Sequence, residues 1–173
     1  MTALTCFYEP IRGAGRERRD ELGNTAPYRT QPHRGSDWGF TNGSEGKDIY
    51  AIHAGKVTKI ENNPALGWTV YVKSVCVNPA CAKDTIEYNH MLKQPLLKVG
   101  DEVKGNYQSL IGLIGATGSS LSKAGANHLH ASCAPESVPH AADRKVLKDL
   151  FKLIDESSKN RKANMEAKKA ATA

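Results

Sequence analysis

Several features that would place this chain in a common class are scarce or missing. Aromatic residues make up only 6% of it, and they are not interleaved with Lys and Arg along a strand. The stacking platform of a single-strand nucleic-acid binder is therefore not expected, and nucleic acid is not counted among its partners. No apolar run approaches the roughly 20 residues that a membrane-spanning helix needs, so membrane insertion is not expected. The stretch from Met1 to Pro10 has no basic start followed by apolar residues, so a secretory signal is not expected either. The glutamate-bearing helical motif H-E-x-x-H is absent, so a hydrolase built on this chain would not take its base from that motif.

What is present is glycine in quantity and short runs of valine and isoleucine. The 173 residues suit one domain with trimming at the ends, and the composition favours a mainly β fold of short strands and turns. Strands are expected over 48–60 (two, around Gly55), 68–75, 85–90, 110–115 and 128–133. A Gly/Ser-rich loop runs from 116 to 125. Residues 1–22 read as an N-terminal arm, and 23–138 as the domain proper. Val146, Leu147, Leu150, Phe151 and Ile154 stand at helical spacing, which predicts an amphipathic C-terminal helix within 139–157. Residues 158–173 read as a disordered basic tail. Of the formal net charge of +6, Glu156 to Ala173 supplies +3, five basic residues against two acids. Such a tail suits a polyanion or simply solvation.

Cys76 and Cys81 frame a turn-forming Val-Asn-Pro-Ala. A disulfide clip or free thiols are expected ahead of zinc, because a lone C-x4-C supplies only two ligands. The pairing of Cys6 and Cys133 is not legible from spacing.

Two histidine contexts are informative. In His33-Arg-Gly-Ser-Asp37, even spacing on extended backbone puts both side chains on one side. In His128-Leu-His130, spacing of two on a strand aims both imidazoles at one face and Leu129 at the core. Two histidines and an aspartate meet the needs of catalytic zinc, which takes three protein ligands and keeps a fourth position for water. Such a site carries one net positive charge, enough to acidify that water.

Read in order, five blocks resemble the lysostaphin-type (LytM-like) zinc endopeptidases. They are His33-Arg-Gly-Ser-Asp37, Ile49 to Val57, Tyr88-Asn-His-Met91, Val99-Gly-Asp-Glu-Val103, and Ile114 to Ser120 followed by His128-Leu-His130. The resemblance covers about His33 to Ser132. It implies an antiparallel sheet with a metal-site groove, Zn2+ held by His33, Asp37 and His130, and His90 with His128 as the catalytic pair. It further implies a monomer that cuts the peptide part of bacterial cell wall. Tyr88 is a candidate for lining the substrate groove, with a packed strand tyrosine as the alternative, while His53 and His140 match no site position and are expected at the surface. The implied setting is a bacteriophage endolysin, made in the host cytoplasm and acting on the wall after release. The other reading of the same fold is a non-catalytic wall-binding or amidase-activating scaffold. Because neutral imidazole is needed for ligation and base work, activity is expected to fall as pH drops through the histidine range. The sequence departs from the family pattern in the loop before His128, at Asn127 and Ala131, and in the Cys76 to Lys83 insertion. All of these border the groove.

Overall fold

The computed structural model describes residues 4–27, 29–118, 127–135, 139 and 144–172. Residues 119–126, which take in most of the Gly/Ser-rich loop expected over 116–125, and His140 lie outside the described residues. Among the described residues nine strands form: β1 (Arg16–Asp20), β2 (Ser36–Phe40), β3 (Asp48–Tyr50), β4 (Gly55–Asn63), β5 (Gly67–Ser74), β6 (Asp84–Met91), β7 (Glu102–Val103), β8 (Leu110–Leu113) and β9 (Leu129–Pro135). Seven of them make one antiparallel sheet in the order β1-β2-β9-β6-β5-β4-β7, and β3 pairs with β8 in a second, two-stranded sheet. The mainly β expectation holds.

Cross-strand partners share a face, so the register divides the large sheet chemically. On one face lie Trp38, Leu129, Ala131, Cys133, Tyr88, Ile86, Val70 and Val72, paired as Trp38 with Leu129, Tyr88 with Ala131, Ile86 with Cys133, and Val70 and Val72 with Tyr88 and Ile86. All are buried and belong to the hydrophobic core with Ile49, Ile52, Ile111 and Ile114. The other face carries Asp37, His130, Ser132, Glu87, Asn89 and Tyr71 through the intervening pairs. The sequence alternates apolar and polar residues here, and the fold turns that alternation into a core side and a polar side.

Both ends of the chain depart from expectation. The first 22 residues are not a loose arm: Leu4, Phe7 and Ile11 are buried in the core, and Arg16–Asp20 is the edge strand of the sheet. Its Arg-Glu-Arg-Arg-Asp sequence looks loop-like, yet charge is what keeps an edge strand from pairing with other chains. The C-terminal helix, α1, spans Leu150–Ala171, not 139–157, and it absorbs the stretch expected to be disordered. Asp149 caps it in extended conformation, accepting from the amides of Phe151 and Lys152, so Val146 and Leu147 fall outside it. Its second half is rich in Ala, Lys, Arg and Glu, strong helix formers that a reading for hydrophobic period overlooks.

The two ends lock together. Asn160 Nδ2 donates to the Leu4 carbonyl (2.9 Å), and Arg161 Nη1 donates to those of Thr5 (2.7 Å) and Phe7 (2.8 Å). Phe7 N donates to the buried Ser157 hydroxyl, and the Arg161 guanidinium lies 4.1 Å from the Tyr8 ring centroid. On its sheet side, α1 buries Leu150 and Ile154 and sets Phe151 edge-on to Trp38 at 5.0 Å. No helix among the described residues is long and apolar enough to cross a membrane.

Candidate active site

Asp37 on β2 and His130 on β9 are direct cross-strand partners, which places a carboxylate and an imidazole side by side on the polar face. His33 arrives from the chain just before β2. Gly35 makes that approach possible, since a Cβ there would stand 2.4 Å from the Ala131 carbonyl oxygen. The result is a tight triangle of ligand atoms. His130 Nδ1 is 2.8 Å from Asp37 Oδ1, His33 Nε2 is 3.2 Å from the same oxygen, and the two nitrogens are 3.0 Å apart.

The far nitrogens decide what the near ones carry. His33 Nδ1 lies 3.0 Å from the Glu21 carbonyl oxygen, which can only accept, so the ring proton sits on Nδ1 and Nε2 holds a lone pair. His130 Nε2 lies 3.1 Å from the Ser132 hydroxyl. That hydroxyl spends its own proton on the Arg34 carbonyl (2.9 Å), so it accepts from Nε2–H and leaves the lone pair on Nδ1. With both imidazoles neutral, two nitrogen lone pairs and a carboxylate oxygen therefore converge on one point. Three acceptors this close repel one another unless a cation lies between them, and far-side hydrogen bonds of this kind are what orient histidine ligands of metals. Burial alone would raise the Asp37 pKa. When protons rather than a cation occupy the triangle, hydrogen bonds from His130 and His33, with the His130 and His128 charges, outweigh burial and hold the carboxyl well below the usual carboxylate range.

His90 and His128 stand beside this triangle. His128 Nε2 is 3.7 Å from Asp37 Oδ1, and the His90 ring lies 5.4 Å from that of His128 and 5.9 Å from that of His130. Strand alternation alone would not bring His90 here. Its neighbour Asn89 is the direct partner of His130, so His90 would face the core in a regular strand. Its φ of 64°, in the left-handed region that a non-glycine residue enters at a cost of roughly 1–3 kcal/mol, turns the ring towards the site. His90 Nδ1 donates to the Thr117 carbonyl (2.9 Å), which leaves Nε2 as the basic nitrogen. Burial first, then the neighbouring His130, push its pKa down to about 4, so it is neutral at physiological pH.

Two other expected placements are corrected. Tyr88 does not line the groove. It is fully buried on the core face, and its hydroxyl accepts from the Ile52 amide at 2.8 Å. His53, expected at the surface, is fully buried with its ring edge-on to Phe7 at 5.7 Å. Burial lowers its pKa to about 4. Sequence reasoning also passed over Ser132, Thr117 and Gly35, although Ser132, two residues past His130, was visible as a polar residue on the same strand face.

Known proteins share this fold. Among solved structures, a zinc-containing peptidase from Vibrio cholerae is 25% identical with a TM-score of 0.59, covering 80% of this chain, which spans only 40% of that one. The catalytic domain of the antimicrobial peptidase lysostaphin from Staphylococcus simulans is 23% identical with a TM-score of 0.61, covering 80% of this chain and 92% of that domain. A chain of the SpoIIQ-SpoIIIAH pore-forming complex shares the fold at 18% identity and a TM-score of 0.68, over 89% of this chain and 94% of that one. No curated protein matches by sequence. Residues 31–141 match the model of Peptidase family M23, a span that takes in all five histidine and aspartate positions of the site, and the chain belongs to that family.

Proposed function

We propose that the chain is a zinc-dependent endopeptidase that hydrolyses peptide bonds in bacterial peptidoglycan, in the setting of host-cell lysis by a bacteriophage. The observation that carries the zinc reading is the convergence of His33 Nε2, His130 Nδ1 and Asp37 Oδ1 with both far-side ring nitrogens already committed. Zinc, when bound there, supplies a Lewis acid for the scissile carbonyl and lowers the pKa of a water. His33, Asp37 and His130 would hold it. His90, neutral and with Nε2 free, takes up a proton at that atom, and His128 shares the task of steadying the oxyanion and returning a proton to the leaving amine. The Thr117 carbonyl fixes the His90 tautomer and ring plane. The peptidoglycan substrate rests on family membership and on the likeness to the antimicrobial peptidase lysostaphin.

The test is purified protein on isolated cell walls, with chelator and with zinc restored. Clearing that stops with chelator and returns with zinc supports the reading, and mass spectrometry of the released fragments names the bond cut. A zinc-loaded protein that clears no wall makes it a non-catalytic scaffold instead.

A further inference from the structure

A second cluster of metal-binding atoms lies away from the histidines. Cys6 comes from the N-terminal segment, and Cys76 and Cys81 flank the turn between β5 and β6. Cys6 Sγ is 2.9 Å from Cys81 Sγ and 3.0 Å from Cys76 Sγ, and the sulfurs of Cys76 and Cys81 are in bonding contact. We propose that Cys6, Cys76 and Cys81 form a second, structural metal site for a thiophilic divalent cation such as zinc, stapling the N-terminal segment to the sheet.

Three observations carry this. First, a clip across the β5–β6 turn needs two sulfurs, yet a third arrives from 70 residues away in sequence and meets both. Tetrahedral zinc with bonds of about 2.3 Å would space its sulfurs about 3.8 Å apart; once a thiol reductant has opened the Cys76–Cys81 disulfide, those two sulfurs have to part by about 1.5 Å, and Cys6 has to draw back from each by less than about 1 Å. Second, all three ligand-bearing segments are braced from outside. Arg161 of α1 binds the carbonyls on either side of Cys6. Lys148 Nζ donates to the Ala80 carbonyl and to Asp84 Oδ1, both at 2.6 Å, and so holds the Cys76–Cys81 turn. Cys76 N is tied to the Ser74 hydroxyl. Third, Cys81 belongs to the hydrophobic core, with Cys6 and Cys76 packed against it, so the three sulfurs are shielded on the core side. Among the described residues no fourth metal-binding side chain meets the three sulfurs. Cys133, though buried and free, is outside the triad.

The experiment uses the full chain purified under reducing conditions without chelator. Metal analysis should give one more zinc per chain in the wild type than in Cys6→Ser, with no loss in Cys133→Ser. His130→Ala should leave the thiolate-bound ion in place, which keeps this result separate from the histidine site. Should Cys6→Ser fail to fold, cobalt(II) substitution of the wild type decides: near-ultraviolet sulfur-to-cobalt charge transfer supports the site, because the histidine and aspartate ligands cannot produce it. A chain lighter by two hydrogens, with two free thiols and no sulfur-to-cobalt absorption, would overturn the proposal in favour of a plain Cys76–Cys81 disulfide.

Discussion

His33, Asp37 and His130 meet on the polar face of the sheet with two further histidines beside them. Cys6, Cys76 and Cys81 meet against the apolar core, braced by Lys148 and Arg161. Both clusters offer three ligands drawn from separate parts of the chain. They differ in what surrounds them, and that difference assigns their roles. Beside the first, His90 and His128 can hold or deliver a proton within reach of a bound substrate. At the second, the neighbours are hydrogen bonds that fix backbone and apolar contacts that exclude water. One suits chemistry, the other suits holding two segments together.

Substitutions should pull the two clusters apart. The largest expected effect is His130→Ala, which removes a ligand: zinc at the histidine site and wall hydrolysis should both vanish, while Cys6→Ser keeps hydrolysis. Wall clearing together with metal analysis measures both. Next comes His128→Ala, which should keep that zinc and lose turnover by about 10²–10⁴-fold, the usual contribution of a positioned proton carrier. Steady-state rates on purified wall fragments read it.

The third prediction concerns the segment that carries Cys6. Phe7 is fully buried, so Phe7→Ala should cost about 3–5 kcal/mol in denaturant unfolding. A loose arm would give a change near zero.

The fourth concerns His53. The unfolded chain takes up a proton at this residue near pH 6.5, whereas the folded chain resists until about pH 4. Stability is therefore fully present above pH 6.5 and falls as pH drops towards 4, by about 3 kcal/mol. His53→Leu should remove that part of the pH dependence in unfolding curves taken across the window. The smallest effect is expected for Ser132→Ala. It takes away the acceptor for His130 Nε2–H, and zinc affinity should fall about 10–100-fold in a competition titration.

Much of this was legible in the sequence, and particular residues show where legibility stopped. Alternation placed His128 and His130 on one face and Leu129 in the core, and Leu129 is fully buried. The run 68–75 was readable as a strand, and β5 occupies Gly67–Ser74. The same alternation would have sent His90 to the wrong side, because a single positive φ at a strand end leaves no mark on hydrophobic period. Tyr88 and His53 were misplaced for a related reason: a polar tip suggested water, but a hydroxyl that finds one backbone amide, or an imidazole kept neutral, can be buried. Leu4, Phe7 and Ile11 are separated by Thr, Cys, Tyr, Glu and Pro, a pattern with neither period, so their place in the core emerges only from tertiary contacts with α1 and β3. The convergence of Cys6 with Cys76 and Cys81 was likewise out of reach, since it depends on how α1 pins the N-terminal segment.

The central claim is that zinc sits among three named atoms, and anomalous diffraction at the zinc edge tests it most directly. The account predicts a peak bonded to His33 Nε2, His130 Nδ1 and an Asp37 oxygen, with His90 and His128 nearby but unbonded to it. No peak at this point, or ligation through His130 Nε2 with the Ser132 hydrogen bond broken, would contradict it.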